Sequence, residues 1–403
     1  MDVPYFVEVD EARRIAAEAL SVLPLPAPVE VTLSAAHGRI LAADLHSLVD
    51  DPPFDNSAMD GFAMRESDVP TVPTTLPIQT TVAAAAHEDM APLEPGHAVR
   101  IMTGAPMPPG ANAILPIERC EVEDGEVTLT APVRTGFVRK QGENLRKGAA
   151  GLFAGAHLTP AKVGLCATMG HPTVLVRARL RVAVIPTGDE LRPAGEPLRH
   201  GEVYESNSHG LVGLVRGMGH EPYHHPAVED TLDGLRKALD AAAEASDMIV
   251  TSGGVSMGEW DLVRRLMEEE GDLRYWRVKI RPGSPPLFGL WKGTPLFGLP
   301  GNPVSSHVVF RLLVADAMRA WTGATGPIET TVRARLLDPV KSTNDCLTLR
   351  RVMVSLEDGE MVARQPRHQG SGNLESLASA DALTLLPAGA SGAIGETIDV
   401  MLL

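Results

Sequence analysis

Aromatic residues supply only 4% of the 403-residue chain, and cysteine occurs three times. Cys120, Cys166 and Cys346 are far apart and form no C-x-x-C pair, which argues against a disulfide framework or a cysteine zinc site and fits a reducing cytosol. No run approaches the roughly 20 apolar residues that a membrane span needs. The N-terminus, MDVPYFVEVDEARR, carries carboxylates where a signal peptide needs a basic region and an apolar core. The expectation is a soluble cytoplasmic protein. Positive charge is also short: the net charge of −15 argues against non-specific binding to nucleic acid or to anionic membrane. An anionic ligand would therefore need local basic groups or a metal. Neither G-x-G-x-x-G nor G-x-x-x-x-G-K-[ST] follows a strand, and no G-x-S-x-G elbow is present, which disfavours a dinucleotide fold, a P-loop and a serine hydrolase. His200, His209, His220, His224, His225 and His307 match no standard zinc spacing.

The chain is rich in punctuation. Glycine and proline reach 71 of 403 residues and are spread along the sequence, the pattern of many short strands and turns. Apolar and charged fractions of 44% and 22% are those of a globular protein, and the length implies two to four domains. Val9–Leu20 has helical spacing. Residues 50–139 read as a small all-β module with a hairpin turn at Asp124-Gly125. Thr159-Pro160 opens a helix as cap and first residue. From Leu180 to Trp321 strands and helices alternate, which predicts a parallel α/β sheet, with Asp230 capping the helix Thr231–Ala245 and one long closing helix Pro303–Trp321. Residues 327–403 return to alternating strands, a small barrel or sandwich.

Ligands of such a sheet sit at the carboxyl ends of its strands. The richest strand end is TSGGVSMGEWD at Thr251–Asp261. Ser252, Gly253 and Gly254 can turn the backbone so that its N–H groups cradle an oxyanion. Glu259 and Asp261, placed beside an anion site, make sense with a divalent cation between them. A tight strand-to-helix turn with an acidic first turn is the plain structural alternative. PTGDEL puts Asp189 and Glu190 just past another strand. In RYWRVKIRPGSPP, Arg277, Lys279 and Arg281 would share one strand face, either solvent-exposed or clamping an anion. FDNSAMDGFA and RIMTGAP read, taken alone, as ordinary turns.

TSGGVSMGEWD, PTGDEL, VYESNS, IRPGSPPLFG, GLPGNPVSS and RHQGSGNLESLASADAL, with FDNSAMDGFA and RIMTGAP upstream, together resemble the molybdopterin molybdenumtransferase (MoeA) family over nearly the whole chain. The resemblance implies an α/β and β multidomain fold. Residues 1–45 and 140–179 would form a split N-terminal domain, 46–139 an inserted β module, 180–326 an α/β molybdopterin-binding domain and 327–403 a C-terminal β-barrel. It implies insertion of molybdate into adenylylated molybdopterin with Mg²⁺ and release of AMP. Expected partners are a second copy in a homodimer, a molybdopterin adenylyltransferase and recipient molybdoenzymes. The family's catalytic positions fall on Asp60, Thr103, Glu190, Asp230, Asp261, Arg277 and Arg281, with Glu190, Asp230 and Asp261 as Mg²⁺ ligands. Substrate-binding positions are Ser252, Gly253, Gly254, Ser284, Pro285, Arg351 and Ser371. One motif departs from the family: its usual K-P-G-K-P reads Arg281-Pro282-Gly283-Ser284-Pro285 here, so the second lysine is Ser284. Loss of an ammonium at an anion site costs about 1.5–3 kcal/mol unless a neighbouring base compensates. A catalytically weak pterin-binding or scaffold protein is the competing reading, and a nucleotide pyrophosphatase a more distant one.

Overall fold

A computed structural model describes residues 3–85, 89–255, 261–326, 329–366 and 368–403. Its centre is a seven-stranded sheet. In chain order the strands are β1 (Tyr5–Val7), β2 (Arg181–Pro186), β3 (Glu221–His224), β4 (Met248–Ser252), β5 (Asp272–Val278), β6 (Leu287–Trp291) and β7 (Thr294–Leu299). In space they run β1-β5-β6-β7-β4-β2-β3. Alternate residues face opposite layers: Val182, Val184 and Val250 enter one core with Phe297 and Leu299, while Ala183, Ile185 and Ile249 enter another with Leu239 and Leu266. Burial on both faces is why these strands read as near-continuous apolar runs.

The sheet is mixed rather than parallel. Strand β6 is antiparallel to both β5 and β7, and its pairing with β7 is an ordinary hairpin through Lys292-Gly293. The sequence reading took β6 as part of a motif rather than as a strand. The first residues also differ from expectation. β1 pairs in parallel with β5, and helix α1 (Val9–Ser21) buries Val9, Ala12, Ala16 and Leu20 in the sheet's own core. That stretch belongs with the α/β unit, because its apolar stripe has its partner surface there.

Helices α2 (Asn207–Gly217), α3 (Leu232–Ala245) and α4 (Leu262–Glu269) connect the strands. The chain goes from β2 to β3 on one side, then back to β4 on the other. This reversal opens a crevice at the carboxyl ends of β2 and β4, where Pro186 and Ser252 are register partners and Ser252 in turn aligns with Leu299 of β7. The closing helix α5 (Pro303–Val309) runs on through a π turn at Phe310–Val314 into a further helical segment, Ala315–Thr322.

Three smaller units surround the sheet. Pro28–Thr32 pairs with Thr173–Arg177, and Leu45–His46 with Ala150–Leu152, so segments before and after residues 50–139 close one small body. Helix Pro160–Thr168 caps as expected, the Thr159 hydroxyl accepting from the Lys162 amide. Between them lies a six-stranded sheet whose hairpin turns at Asp124 and Gly125, both at positive φ. At the C-terminal end five strands form a closed barrel. No helix among the described residues is long and apolar enough to cross a membrane.

Candidate active site

The crevice at the strand ends holds a cavity of about 350 Å³ lined by Glu190, Asp230 and Asp261 together with Ser252, Gly253 and Gly254. Local structure explains how each arrives. Gly188 sits at φ +146°, a backbone region that L side chains rarely adopt, so the turn after β2 that leads to Glu190 favours glycine there. Asp230 does not cap α3 as expected. Thr231 does, its hydroxyl accepting from the Gly234 amide at 3.1 Å, while the Asp230 amide donates to Asp189 Oδ1 at 2.9 Å. This leaves the Asp230 carboxylate to the cavity. Asp261 stands at the N-cap position of α4, where the helix dipole favours negative charge. Glu259, singled out in the sequence, lies outside the described residues.

Burial, followed by the charges of Asp189, Glu190 and Asp261, holds the Asp230 carboxyl above the usual aspartate range. The acidic wall thus repels itself, a state that a cation relieves. Among the described residues no three His, Cys, Asp or Glu side chains converge closely enough to hold a metal unaided. The glycine cradle is narrower than its sequence promised. Gly253 and Gly254 both have positive φ (109° and 66°), and a Cβ on Gly253 would press within 2.6 Å of the Thr187 backbone oxygen. The Gly253 amide, however, is taken by the Leu299 carbonyl at 3.0 Å. Asn207, absent from the expected site residues, donates from Nδ2 to Ser252 Oγ (2.8 Å) and to the Gly301 carbonyl (2.7 Å), and its buried Oδ1 has no acceptor role within the described protein. The VYESNS motif was the signal for it.

A second cavity, about 470 Å³, adjoins the first and shares Pro285, Pro300 and Asn302 with it. Its charged lining is of opposite sign: Arg277, Arg281 and Arg350, with Ser284 and Ser371. The expected row of three cations on one strand face is not kept. Arg277 lies at φ +63°, outside the extended backbone that alternation assumes, and its Nη1 donates to the Tyr5 hydroxyl at 2.8 Å. Lys279 pairs with Glu8 at 2.5 Å and does not line the cavity. Ser284 is buried, its hydroxyl donating to the Val278 carbonyl at 3.3 Å.

The remaining expected residues are placed as follows. Ser371 lines the basic cavity, and its carbonyl accepts from the Val304 amide at 3.1 Å, fixing the barrel loop to the start of α5. Arg351 lines neither cavity. It is 1% exposed, and its Nη2 donates to the carbonyls of His368 and Gly370, so it braces the loop that carries Ser371. Its neighbour Arg350, which the sequence reading passed over, is the one at the cavity. Asp60 and Thr103 are brought to each other, the Thr103 amide and hydroxyl donating to Asp60 Oδ1 at 2.6 and 2.9 Å, but neither lines either cavity. Those two donors hold the Asp60 carboxyl below the usual range. Of the histidines, His224 bonds the buried Ser208 hydroxyl, itself held by Glu205, which makes that group a structural cap at the start of α2.

Comparison with known proteins covers the same ground. Residues 7–170 match the MoeA N-terminal region (domains I and II), 183–320 the probable molybdopterin binding domain, and 333–403 the MoeA C-terminal region (domain IV). The chain is 35% identical over 390 residues to molybdopterin molybdenumtransferase 2 of Mycobacterium tuberculosis, covering 94% of this chain and 95% of that one. It is 37% identical over 308 residues to the molybdopterin molybdenumtransferase of Haemophilus influenzae, covering 76% and 75%. The crystal structure of the molybdopterin biosynthesis MoeA protein of Pyrococcus horikoshii OT3 superposes with a TM-score of 0.83 at 28% identity, over 99% of this chain and all of that one. The chain belongs to the molybdopterin molybdenumtransferase family, enzymes of molybdenum cofactor biosynthesis.

Proposed function

We propose that the chain inserts molybdate into adenylylated molybdopterin with the help of Mg²⁺ and releases AMP. The observation that carries this reading is the junction of an acidic and a cationic cavity at Pro285, Pro300 and Asn302. A nucleotide-linked pterin spanning that junction puts its pyrophosphate at one end and its metal-accepting group at the other. Mg²⁺ keeps several waters and is commonly held by one or two carboxylates plus substrate phosphates. Glu190, Asp230 and Asp261 fit that mode: they wall one cavity, they repel one another, and they form no closed cage of their own. Bound there, the cation would offset charge on the pyrophosphate oxygens. Gly253 and Gly254 let the backbone approach phosphate closely, Asn207 orients Ser252, and Arg277, Arg281 and Ser371 hold the oxyanion by charge-assisted hydrogen bonds. The test is AMP release from adenylylated molybdopterin. It should require both molybdate and Mg²⁺, and release that ignores molybdate would favour a pyrophosphatase instead.

We further propose a homodimer. Asp60 and Thr103 reach neither cavity of their own chain, and a second copy is the way for them to act there. Sedimentation that finds only monomer at micromolar concentration would contradict this. The buried Ser284 motivates a second reading, a weakly catalytic pterin-binding protein. A large gain in turnover from Ser284→Lys would favour it.

A further inference from the structure

Position 284 gives the cavity no charge, so its cations must come from elsewhere. Arg281 lies beside it on the α/β side. Arg350 arrives from the barrel, and the structure shows how. Ile280–Arg281 runs parallel to Leu347–Thr348, a two-residue ladder between the two units, and the Leu349 amide donates to the Arg281 carbonyl at 2.7 Å. Arg350 is the next residue, its own amide held by Thr384 Oγ1 at 2.9 Å. The ladder thus places Arg281 and Arg350 at one cavity although 69 positions separate them in sequence (350 − 281).

The guanidinium of Arg350 is partly anchored. Nε and Nη2 donate to the Lys341 carbonyl at 3.4 and 3.1 Å. Among the described residues no carboxylate pairs with it and Nη1 has no protein acceptor. Arg281 also makes no ion pair among the described residues. Arg350 further crowds the buried Arg351, whose proton affinity is reduced by burial first and by Arg350 second. A fork with unspent donors, lining the same cavity as a second guanidinium that makes no ion pair among the described residues, in a chain of net charge −15, is suited to a tetrahedral dianion.

Resting on the transferase reading above, we propose that Arg350 is a molybdate-contacting residue that replaces the charge missing at Ser284, so that the oxyanion is clamped between the α/β domain and the barrel. The test is molybdate binding alone, by equilibrium dialysis with the metal measured by mass spectrometry, alongside the molybdate dependence of AMP release. Arg350→Gln should weaken molybdate binding about ten- to a hundredfold and raise the molybdate KM in step, with kcat at saturating molybdate changed far less. Arg350→Lys should keep part of the affinity, and Ser284→Lys added to Arg350→Gln should restore it. A purely structural strut to Lys341 would lower the melting temperature of Arg350→Gln and leave affinity per folded molecule unchanged, which overturns the proposal. If the unaltered protein releases AMP in a molybdate-dependent way and Arg350→Gln matches it, the proposal falls and the transferase reading stands. If the unaltered protein shows no molybdate dependence, the reading falls and the proposal with it.

Discussion

The acidic and basic cavities are neighbours built in opposite ways. The acidic one is made within a single domain, from turns that follow β2 and β4 and from the residues flanking α3 and α4. The basic one needs two: Arg277, Arg281 and Ser284 come from the α/β domain, while Arg350 and Ser371 come from the barrel. The acidic end is therefore carried by one sheet. The basic end depends on a short interdomain ladder and on the Val304–Ser371 contact. In the reaction proposed above, metal and pyrophosphate chemistry would fall to the first and oxyanion selection to the second. Changes to one end should be separable from changes to the other.

The largest effect is expected from Asp261→Asn, which removes a charge from the acidic end only. AMP release should fall about a hundredfold or more, because a bound cation's charge stabilisation is worth several kcal/mol, while molybdate affinity stays as it was. Equal loss of both would show that the two ends act as one. Arg281→Gln should do the reverse. Here the molybdate KM should rise about ten- to a hundredfold, with the Mg²⁺ concentration for half-maximal rate unchanged.

A smaller effect concerns Asp230. Its carboxyl takes up a proton more readily in the folded chain than in the unfolded one, so the penalty of holding it ionised is present at neutral pH and vanishes as pH falls through its raised value. Mg²⁺ should accordingly raise the melting temperature by a few degrees at pH 7.5, and by less on acidification. Asp230→Asn should stabilise the metal-free protein and flatten that dependence; a Mg²⁺ effect that persists unchanged in this variant would place the ion elsewhere. The smallest effect is expected from Ser284→Lys in the otherwise unaltered chain. With Arg350 already supplying the charge, turnover should gain no more than about twofold, and a lysine forced into this buried position should cost stability of about 1–3 kcal/mol.

The difference between the two ends also governed what could be read from sequence. Glu190, Asp230 and Asp261 were legible because each lies in the segment that follows a strand end, and strand ends of an α/β sheet share one edge. Even there a detail went astray: Thr231, not Asp230, caps α3, since either could by type. Strand β6 escaped because its sequence, LFGLW, is short and apolar and carries no direction; only its hairpin with β7 makes it antiparallel. At the basic end, Arg350 and Arg351 are adjacent, yet Arg350 lines the cavity while Arg351 is buried and bonded to the His368 and Gly370 carbonyls. Which goes where depends on the register of Leu347–Thr348 against Ile280–Arg281, a long-range pairing with no local signature. The C-terminal region, by contrast, shows its strands through regular alternation, which fits a barrel or a sandwich, and the long-range pairings close it into a barrel.

The most direct measurement is single-turnover AMP release from adenylylated molybdopterin, followed in the four combinations of molybdate and Mg²⁺ present or absent. The two-ended site predicts release only when both are supplied. Release at the same rate without molybdate would contradict it.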